Sequence, residues 1–398
     1  MRSPLPAPRL NGRGAPEHTA RPHWAARVED AKNVGIGRVL RRLGWDLRLQ
    51  PFHGYGSTNA VRVLAKVRYA TPHTPADHHD QPVEDMRRMA VRGWRNFAGQ
   101  VAPHRTVHLR IGDREITTRA DRAGIVDVRL DVELEPGHHE AVLWTTPSNA
   151  VTADVTVFPP DAEVGLVSDI DDTVMVTWLP RPLLAFWNAF VAHQSTRKVV
   201  PGMPMLYQQL LRDHPGMPVL YLSTGAWNVF PVLRRFLYKN GYPDGPLLLT
   251  DWGPTNTGMF RSGRRHKERS LEHLARDFPG IRWILVGDDG QHDPAIYGDF
   301  AAARPDQVEA IAIRQLTEPE QLLSHGTLRP LGGGSPRVAP PPGTLPATVG
   351  GGSSAPAGEP TTAEADAQVL ATRPIPSVAA PDGHGLLRAL RRIGVLPS

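Results

Sequence analysis

The fold is decided by one stretch of the chain, Val164-Gly165-Leu166-Val167-Ser168-Asp169-Ile170-Asp171-Asp172-Thr173-Val174. Its apolar first half, followed by a polar turn, is typical of a buried strand in a parallel sheet. Asp169 and Asp171 would lie at the carboxyl end of that strand, where open α/β sheets bind ligands. Carboxylates this close repel each other unless a cation such as Mg²⁺, bound by oxygen ligands, lies between them. A second interpretation stays open, in which an ordinary strand runs into a polar turn.

After this stretch, strand-like runs alternate with helical patterns over residues 161–325. The predicted strands are 164–168, 218–223, 247–250, 283–287 and 308–313. The predicted helices between them are 204–214, 230–240, 267–278 and 294–303. This alternation predicts an α/β domain with a parallel sheet covered on both faces, so that all strand ends face one cleft.

The preceding region, residues 46–160, has a period of two. Alternating segments at 61–69, 106–111, 125–134 and 150–157 are separated by turn signals such as Gly112-Asp113 and Pro136-Gly137. Short strands with few helices between them predict a small antiparallel β-sandwich domain.

The remaining segments flank these two domains. Residues 1–22 and 326–383 are rich in Pro and Gly and are predicted to be disordered, whereas residues 23–45 are predicted to be helical. Residues 384–398 form a short amphipathic helix, with Leu386, Leu387, Leu390 and Ile393 on one face and arginines elsewhere. Two roles stay open for it: contact with a membrane or partner, or docking on its own domain.

Composition excludes several classes of function. The 398 residues include no cysteine, so disulfides, thiolate metal sites and cysteine nucleophiles are absent. We find no secretory signal at the N-terminus and no apolar run long enough to span a bilayer. We therefore expect a cytoplasmic protein, soluble or peripheral at a membrane. The mild net charge of +5 permits contact with anionic phospholipid, and we expect no nucleic acid partner; protein partners are left open.

Polar residues also follow the other predicted strands. The second strand ends in Ser223-Thr224-Gly225, whose hydroxyls and backbone N–H groups suit a phosphoryl oxygen. Lys267, one of only five lysines, begins a helix after an arginine-rich loop. The fourth strand ends in Asp288-Asp289, followed by Asp293, and these acids need a cation or donors to hold them. Each signal alone is also compatible with a turn or a solvated helix start.

Together these residue types are typical of one phosphoryl-transfer chemistry. One aspartate attacks phosphorus and forms an aspartyl-phosphate, and a second, two residues on, protonates the leaving oxygen and later activates water. Mg²⁺ links the first and fourth strand ends, while a hydroxyl and a lysine stabilise the phosphoryl charge.

The order of these motifs resembles the haloacid-dehalogenase-like phosphatase superfamily, whose first motif D-x-D-x-[TV] matches Asp169-Ile170-Asp171-Asp172-Thr173. The resemblance implies that Asp169 is the nucleophile, that Asp171 is the acid/base, and that Ser223 and Lys267, beside Thr224 and Gly225, hold the phosphoryl group. It also implies that Asp169, the backbone carbonyl of Asp171 and Asp288 bind Mg²⁺. The supporting residues are Asp172, Thr173, Asp289 and Asp293.

A narrower resemblance is to the catalytic domain of actin-patch-type phosphatidate phosphatases. It extends over residues 164–316 and is most specific in Gly287-Asp288-Asp289-Gly290-Gln291-His292-Asp293-Pro294-Ala295-Ile296-Tyr297. It implies hydrolysis of phosphatidate to diacylglycerol and phosphate. The chain departs from this family at Gly225-Ala226-Trp227, where Ser-Pro-Trp is common, and at Asp289, where Ser is common. The second departure leaves open whether Asp288 or Asp289 faces the metal.

The substrate is less well determined than the chemistry. Residues 175–201 combine aromatic and basic side chains that suit a bilayer interface if exposed, or an ordinary helix if buried. Two alternatives to a phosphatidate phosphatase therefore stay open. One is a phosphatase of a soluble phosphomonoester, and the other is a non-catalytic lipid-binding scaffold.

Overall fold

The computed structural model describes residues 35–37, 39–70, 100–176, 198–250, 263–290, 292–317, 320 and 374–397. The predicted disorder of residues 1–22, most of the predicted tail and most of the aromatic segment 175–201 lie outside these residues. Of the predicted helical segment 23–45, residues 35–37 and 39–42 are described and helical. No helix among the described residues is long and apolar enough to cross a membrane.

Residues 46–70 and 106–157 contribute the strands of one seven-stranded mixed sheet with the order β4-β3-β6-β7-β1-β2-β5. Its strands are β1 (Asp46–Ser57), β2 (Ala60–Ala70), β3 (Thr106–Ile111), β4 (Arg114–Arg119), β5 (Ile125–Asp131), β6 (Gly137–Trp144) and β7 (Val151–Val157). Neighbouring strands are antiparallel except for β1 and β7, which are parallel. The sheet curls into a nearly closed, barrel-like shape around its own apolar core.

The predicted antiparallel sandwich is therefore wrong. A sandwich needs two separate sheets, but β1 is hydrogen-bonded to β2 on one side and to β7 on the other. This strand joins the two halves into a single mixed sheet. The sequence did not predict β1 because its apolar alternation is interrupted where the register shifts between Phe52 and Tyr55.

The second sheet contains six parallel strands in the order β12-β11-β8-β13-β14-β15. They are β8 (Val164–Ser168), β11 (Val219–Ala226), β12 (Leu247–Thr250), β13 (Arg282–Asp288), β14 (Val308–Arg314) and β15 (Ser377–Ala380). A separate antiparallel pair is formed by β9 (Met175–Val176) and β10 (Lys198–Val199). All five strands predicted for this domain lie in the parallel sheet.

Among the described residues, four helices connect the strands of this sheet, and a fifth follows its last strand. They are α1 (Met203–Asp213), α2 (Phe230–Lys239), α3 (Gly263–Asp277), α4 (Asp293–Ala303) and α5 (Gly383–Arg392). The chain moves from β8 to β11 and β12 in one direction and returns to β13 and β14 on the other side of β8. The strand order therefore reverses between β8 and β13, and ligands bind at the carboxyl ends of the strands at such a reversal.

The predicted disorder of the C-terminal tail is wrong for residues 374–383. Strand β15 pairs in parallel with β14, and α5 follows it at once. The strand has only four residues within a long Pro- and Gly-rich region, so its pattern was too short to predict. Leu386, Leu387 and Leu390 of α5 are buried, and α5 packs against α1. Of the two open roles for this helix, the structure shows docking on its own domain.

The two sheets also contact each other. Phe52 of β1 stacks on Trp227 with ring centroids 4.2 Å apart, and Trp227 directly follows β11. Arg62 of β2, which is buried, pairs with Asp277 at the end of α3 at 3.5 Å. The first sheet therefore packs against the segment that follows β11 and against the end of α3.

Candidate active site

The turn after β8 holds two of the predicted catalytic carboxylates. Asp169 is 1% exposed, and its backbone N–H donates to the carbonyl oxygen of Val286 in β13 at 2.8 Å. The next residues turn sharply because the N–H groups of Thr173 and Val174 both donate to the carbonyl oxygen of Ile170. The turn keeps Asp169 at the end of the sheet.

Lys267 bridges two buried aspartates. From the second turn of α3, its Nζ donates to Oδ1 of Asp169 at 2.6 Å and to Oδ1 of Asp293 at 2.5 Å. Asp293 lies in the first turn of α4, where the helix dipole favours a negative charge. A Cβ on Gly287 would lie 2.6 Å from Oδ2 of Asp293, so only glycine permits this close approach. The structure thus brings together the ends of β8 and β13 and the starts of α3 and α4.

Asp288 completes a buried acidic cluster that fits a metal ion. Oxygen atoms of Asp169, Asp288 and Asp293 lie within 4.8 Å of one another. Asp288 Oδ1 accepts a hydrogen bond from the N–H of Gly290 at 2.7 Å. Among the described residues, Oδ2 of Asp288 and Oδ2 of Asp293 are buried without a hydrogen-bond partner. Unpartnered buried carboxylate oxygens are costly, and a bound cation would remove that cost.

Burial and mutual repulsion also shift the pKa values of the ionisable groups in the cluster. Burial raises the pKa of Asp169 to about 8; Lys267 opposes this shift, while Asp293 and Asp171 add to it. Burial, with Asp293, Asp169 and Asp172 nearby, raises the pKa of Asp288 well above its ordinary range. Burial alone would lower the pKa of Lys267, but its two carboxylate partners raise it, so the ammonium stays charged. One lysine therefore does not balance three carboxylates.

We expect the stability of the metal-free protein to fall between pH 6 and pH 8. A carboxyl with a raised pKa in the folded state keeps its proton there at pH values where the unfolded chain has lost it. Its contribution to stability is fully present below the ordinary pKa and is lost as the pH rises through about 8. Thermal unfolding in EDTA should give a lower melting temperature at pH 8 than at pH 6, and Mg²⁺ should reduce the difference. Asp288→Asn should weaken the pH dependence, whereas the exposed Asp161→Asn should retain it. Equal melting temperatures of the wild type at the two pH values would contradict this expectation.

The hydroxyl motif lies beside the second carboxylate rather than beside the cluster of Asp169, Asp288 and Asp293. Ser223 Oγ, fully buried in β11, donates to Oδ2 of Asp171 at 3.1 Å and accepts from the N–H of Gly225 at 2.9 Å. Thr224 is partly exposed, and its side chain lies close to Gly263 at the start of α3. Ser223 therefore links the end of β11 to the turn after β8.

Asp288 and Asp289 have different surroundings. Asp289 is partly exposed, and its Oδ1 accepts from the N–H of Leu316 at 2.8 Å, while Asp288 lies within the buried cluster. Thr173 Oγ1 donates to Oδ2 of Asp169 at 3.3 Å. The side chain of Asp172 is buried, and its backbone has a positive φ of 57°.

Sequence reasoning missed two residues at this end of the sheet. Tyr207 of α1 places its hydroxyl 2.6 Å from Oγ of Ser168, which in turn donates to the carbonyl oxygen of Asp169. Arg314, the last residue of β14, donates to the carbonyl oxygen of Asp172 at 2.7 Å. A cation at the end of an apolar strand, at the same edge as the acids, was the available signal for Arg314.

The parallel-sheet domain is similar to a known protein family. Residues 164–315 match the family model described as the catalytic domain of phosphatidate phosphatase APP1. The match covers less than half of the chain. The matched residues include β8, the acids after β13 and Lys267, and they end one residue after β14.

Two curated relatives are similar to part of the chain. Phosphatidate phosphatase APP1 of Saccharomyces cerevisiae is 30% identical over 190 residues, which are 48% of this chain and 30% of the yeast protein. An uncharacterised protein of Schizosaccharomyces pombe is 24% identical over 155 residues, which are 38% of this chain and 25% of that protein. The chain thus spans less than a third of the length of either relative.

Solved structures give only distant matches. A carbohydrate acetylesterase from Xanthomonas citri is 12% identical, with 88% of this chain and 75% of that chain covered and a TM-score of 0.29. A calcium-binding mutant of Bacteroides uniformis β-glucuronidase 2 is 9% identical, with 68% of this chain and 33% of that chain covered and a TM-score of 0.20. Scores this low support no inference about this chain.

Proposed function

We propose that the chain is a Mg²⁺-dependent phosphatidate phosphatase of the haloacid-dehalogenase-like type. It would hydrolyse phosphatidate to diacylglycerol and phosphate at a membrane surface on the cytoplasmic side. The observation that carries the proposal is the buried bridge from Asp169 through Lys267 to Asp293 in a domain that matches the APP1 catalytic family. A buried ion pair with acids left over is costly for a purely structural site and useful for phosphoryl transfer.

In the proposed first step, an oxygen of Asp169 attacks phosphorus and an aspartyl-phosphate forms. The bond between phosphorus and the ester oxygen breaks, and Asp171 gives a proton to the departing alkoxide. In the second step Asp171 accepts a proton from water, whose oxygen attacks phosphorus, and the bond to Asp169 breaks to release phosphate. The hydrogen bond from Ser223 holds the Asp171 carboxyl at one orientation beside this path.

The metal site fits the same assignment. Asp169, Asp288 and the backbone carbonyl of Asp171 would hold Mg²⁺, and when bound the ion would shield the phosphoryl charge from the carboxylates. Lys267 keeps one oxygen of Asp169 fixed and presents a positive charge to the phosphoryl oxygens. Thr173 fixes the other oxygen of Asp169.

The substrate class can be tested with two molecules that carry the same phosphomonoester group. Phosphatidate in detergent micelles and sn-glycerol 3-phosphate carry the same phosphomonoester, but only the first has acyl chains. With Mg²⁺, we expect phosphate release from phosphatidate to be at least about tenfold faster, and EDTA to stop it. Equal or faster release from glycerol phosphate would favour the soluble-substrate alternative. No release from either would contradict the enzymatic proposal.

Asp171→Asn should lower the rate of aspartyl-phosphate formation more for a substrate whose leaving group needs a proton. Loss of a general acid costs roughly 100- to 10,000-fold where the leaving alkoxide needs a proton, as in phosphatidate. Nitrophenolate, the leaving group of nitrophenyl phosphate, departs without protonation. Formation of the aspartyl-phosphate from this substrate should therefore be much less affected. We would measure this step as the burst of nitrophenolate. An equal loss with both substrates would contradict the assignment of Asp171 as the general acid.

The scaffold alternative predicts that the acids are dispensable. It requires Asp169→Asn to leave the biological role intact. Lys267 lies between two buried aspartates, and this arrangement favours the enzymatic proposal over the scaffold alternative. A site without catalytic function would gain stability by losing these charges.

A further inference from the structure

Arg314 joins three separate segments of the chain next to the candidate site. Its side chain is buried, with 3% of the residue exposed. Nη1 donates to the backbone carbonyl of Asp172 at 2.7 Å, and Nη2 pairs with Oε1 of Glu320 at 2.7 Å. Nε donates to the backbone carbonyl of Pro381 at 3.2 Å. The planar guanidinium thus uses three nitrogens on three partners, which a lysine ammonium does not reproduce in one plane.

The partner of Arg314 that lies nearest the catalytic residues is the peptide of Asp172, which has a strained backbone conformation. Asp172 has φ of 57°, in the left-handed region that residues other than glycine adopt only at a conformational cost. Such a conformation persists when the surroundings hold it in place. Asp172 lies between Asp171 and Thr173, so its conformation sets the direction of both side chains. The charge-assisted hydrogen bond from Arg314 is one contact that holds the peptide.

The partner on the other side belongs to the C-terminal segment, residues 374–397. Pro381 follows β15, and the preceding carbonyl of Ala380 accepts from the N–H of Gln315 at 2.8 Å. The N–H of Gly383 donates to the carbonyl of Pro201 at 2.9 Å, at the start of the segment that leads to α1. This segment lies outside residues 164–315, which match the catalytic family.

We propose that Arg314 is a positioning residue for the phosphatase reaction, and that the C-terminal segment is a required part of the active site because it holds the Arg314 guanidinium. Arg314 touches no reacting atom. It acts through the Asp172 peptide on the orientation of Asp171, and the kinetic part of the proposal rests on the proposed function.

The first test compares Arg314→Gln with Arg282→Gln. Arg282 begins β13 at the opposite end of the same sheet and pairs with Glu309 at 2.9 Å, so its variant removes an arginine ion pair away from the site. We expect Arg314→Gln to lower kcat by roughly 10- to 100-fold with KM little changed, because misplacement by about 1 Å has effects of this size. Arg282→Gln should keep the wild-type kcat.

Hydrogen exchange gives a readout that does not depend on activity. The N–H groups of Thr173 and Val174 are bonded within the turn, so we expect them to exchange faster in Arg314→Gln and at the wild-type rate in Arg282→Gln. Unchanged exchange at these amides in Arg314→Gln would overturn the proposal whatever the activity. A wild type without phosphatase activity would contradict the proposed function, and the exchange result would still decide the role of Arg314.

A second variant displaces the C-terminal segment by a substitution within that segment. A Cβ on Gly383 would lie 2.2 Å from the backbone carbon of Gly202, so Gly383→Val must push α5 away from α1. Gly298→Ala is the matched control, because a Cβ there meets nothing within 4 Å. We expect Gly383→Val to reproduce the kcat loss and the faster exchange at residues 173–174. If the segment is displaced, shown by fast exchange over 377–390, and kcat stays at the wild-type value, the proposal is overturned.

Discussion

Asp169→Asn should lower phosphate release by roughly 1,000-fold or more at saturating substrate and Mg²⁺. Removal of a nucleophile leaves only the catalysis due to binding and electrostatics, and losses of this size or larger follow. The amide is nearly isosteric and still accepts a hydrogen bond from Lys267, so the fold should persist. We would measure kcat with phosphatidate micelles, and the thermal unfolding of the same preparation.

Asp161→Asn is the matched control for this variant. Asp161 is exposed and precedes β8, so its neutralisation changes the net charge without changing the buried cluster. It should retain the wild-type kcat. An Asp169→Asn protein that keeps more than about a tenth of the wild-type rate would contradict the role of Asp169 as nucleophile.

Lys267→Met should affect both catalysis and stability. The variant loses the ammonium that faces the phosphoryl group, and loss of one such stabilising donor costs roughly 100- to 1,000-fold in kcat. It also leaves Asp169 and Asp293 buried without their shared partner, which costs roughly 3–5 kcal/mol. We expect a lower melting temperature than the wild type, and a larger difference at pH 8 than at pH 6, where the carboxyls can take up protons.

Lys239→Met separates these effects from a general loss of charge. Lys239 is exposed at the end of α2, and we expect its variant to match the wild type in rate and melting temperature. If Lys267→Met kept its stability at pH 8, the buried bridge seen in the structure would not contribute as described. If it kept its rate, Lys267 would have no part in phosphoryl transfer.

The parallel sheet and its acids could be predicted because their signals are local. Each strand of the domain is a short apolar run that ends in turn residues, and Asp169, Ser223 and Asp288 follow three of these runs directly. Once the strands are parallel, their carboxyl ends must meet at one edge. The position of Lys267 followed from its place at the start of a helix after the third of these strands.

The rest of the architecture depends on pairings between distant segments. The parallel contact of β1 with β7 joins residues about 100 positions apart, and nothing in either strand specifies it. Strand β15 returns to β14 from beyond residue 373, with only four residues to mark it. The choice of Asp288 over Asp289 required geometry, since the two side chains are adjacent in sequence and differ only in which one faces the buried cluster.

Direct detection of the covalent intermediate tests the central claim. Wild-type protein and Asp169→Asn would be mixed with phosphatidate and Mg²⁺, quenched in acid within one turnover and digested, and the peptide containing residue 169 would be analysed by mass spectrometry. We predict one phosphate on Asp169 in the wild type and none on the same peptide of the variant. Phosphate release by the wild type with no labelled peptide, or with the label on another residue, would contradict Asp169 as the nucleophile.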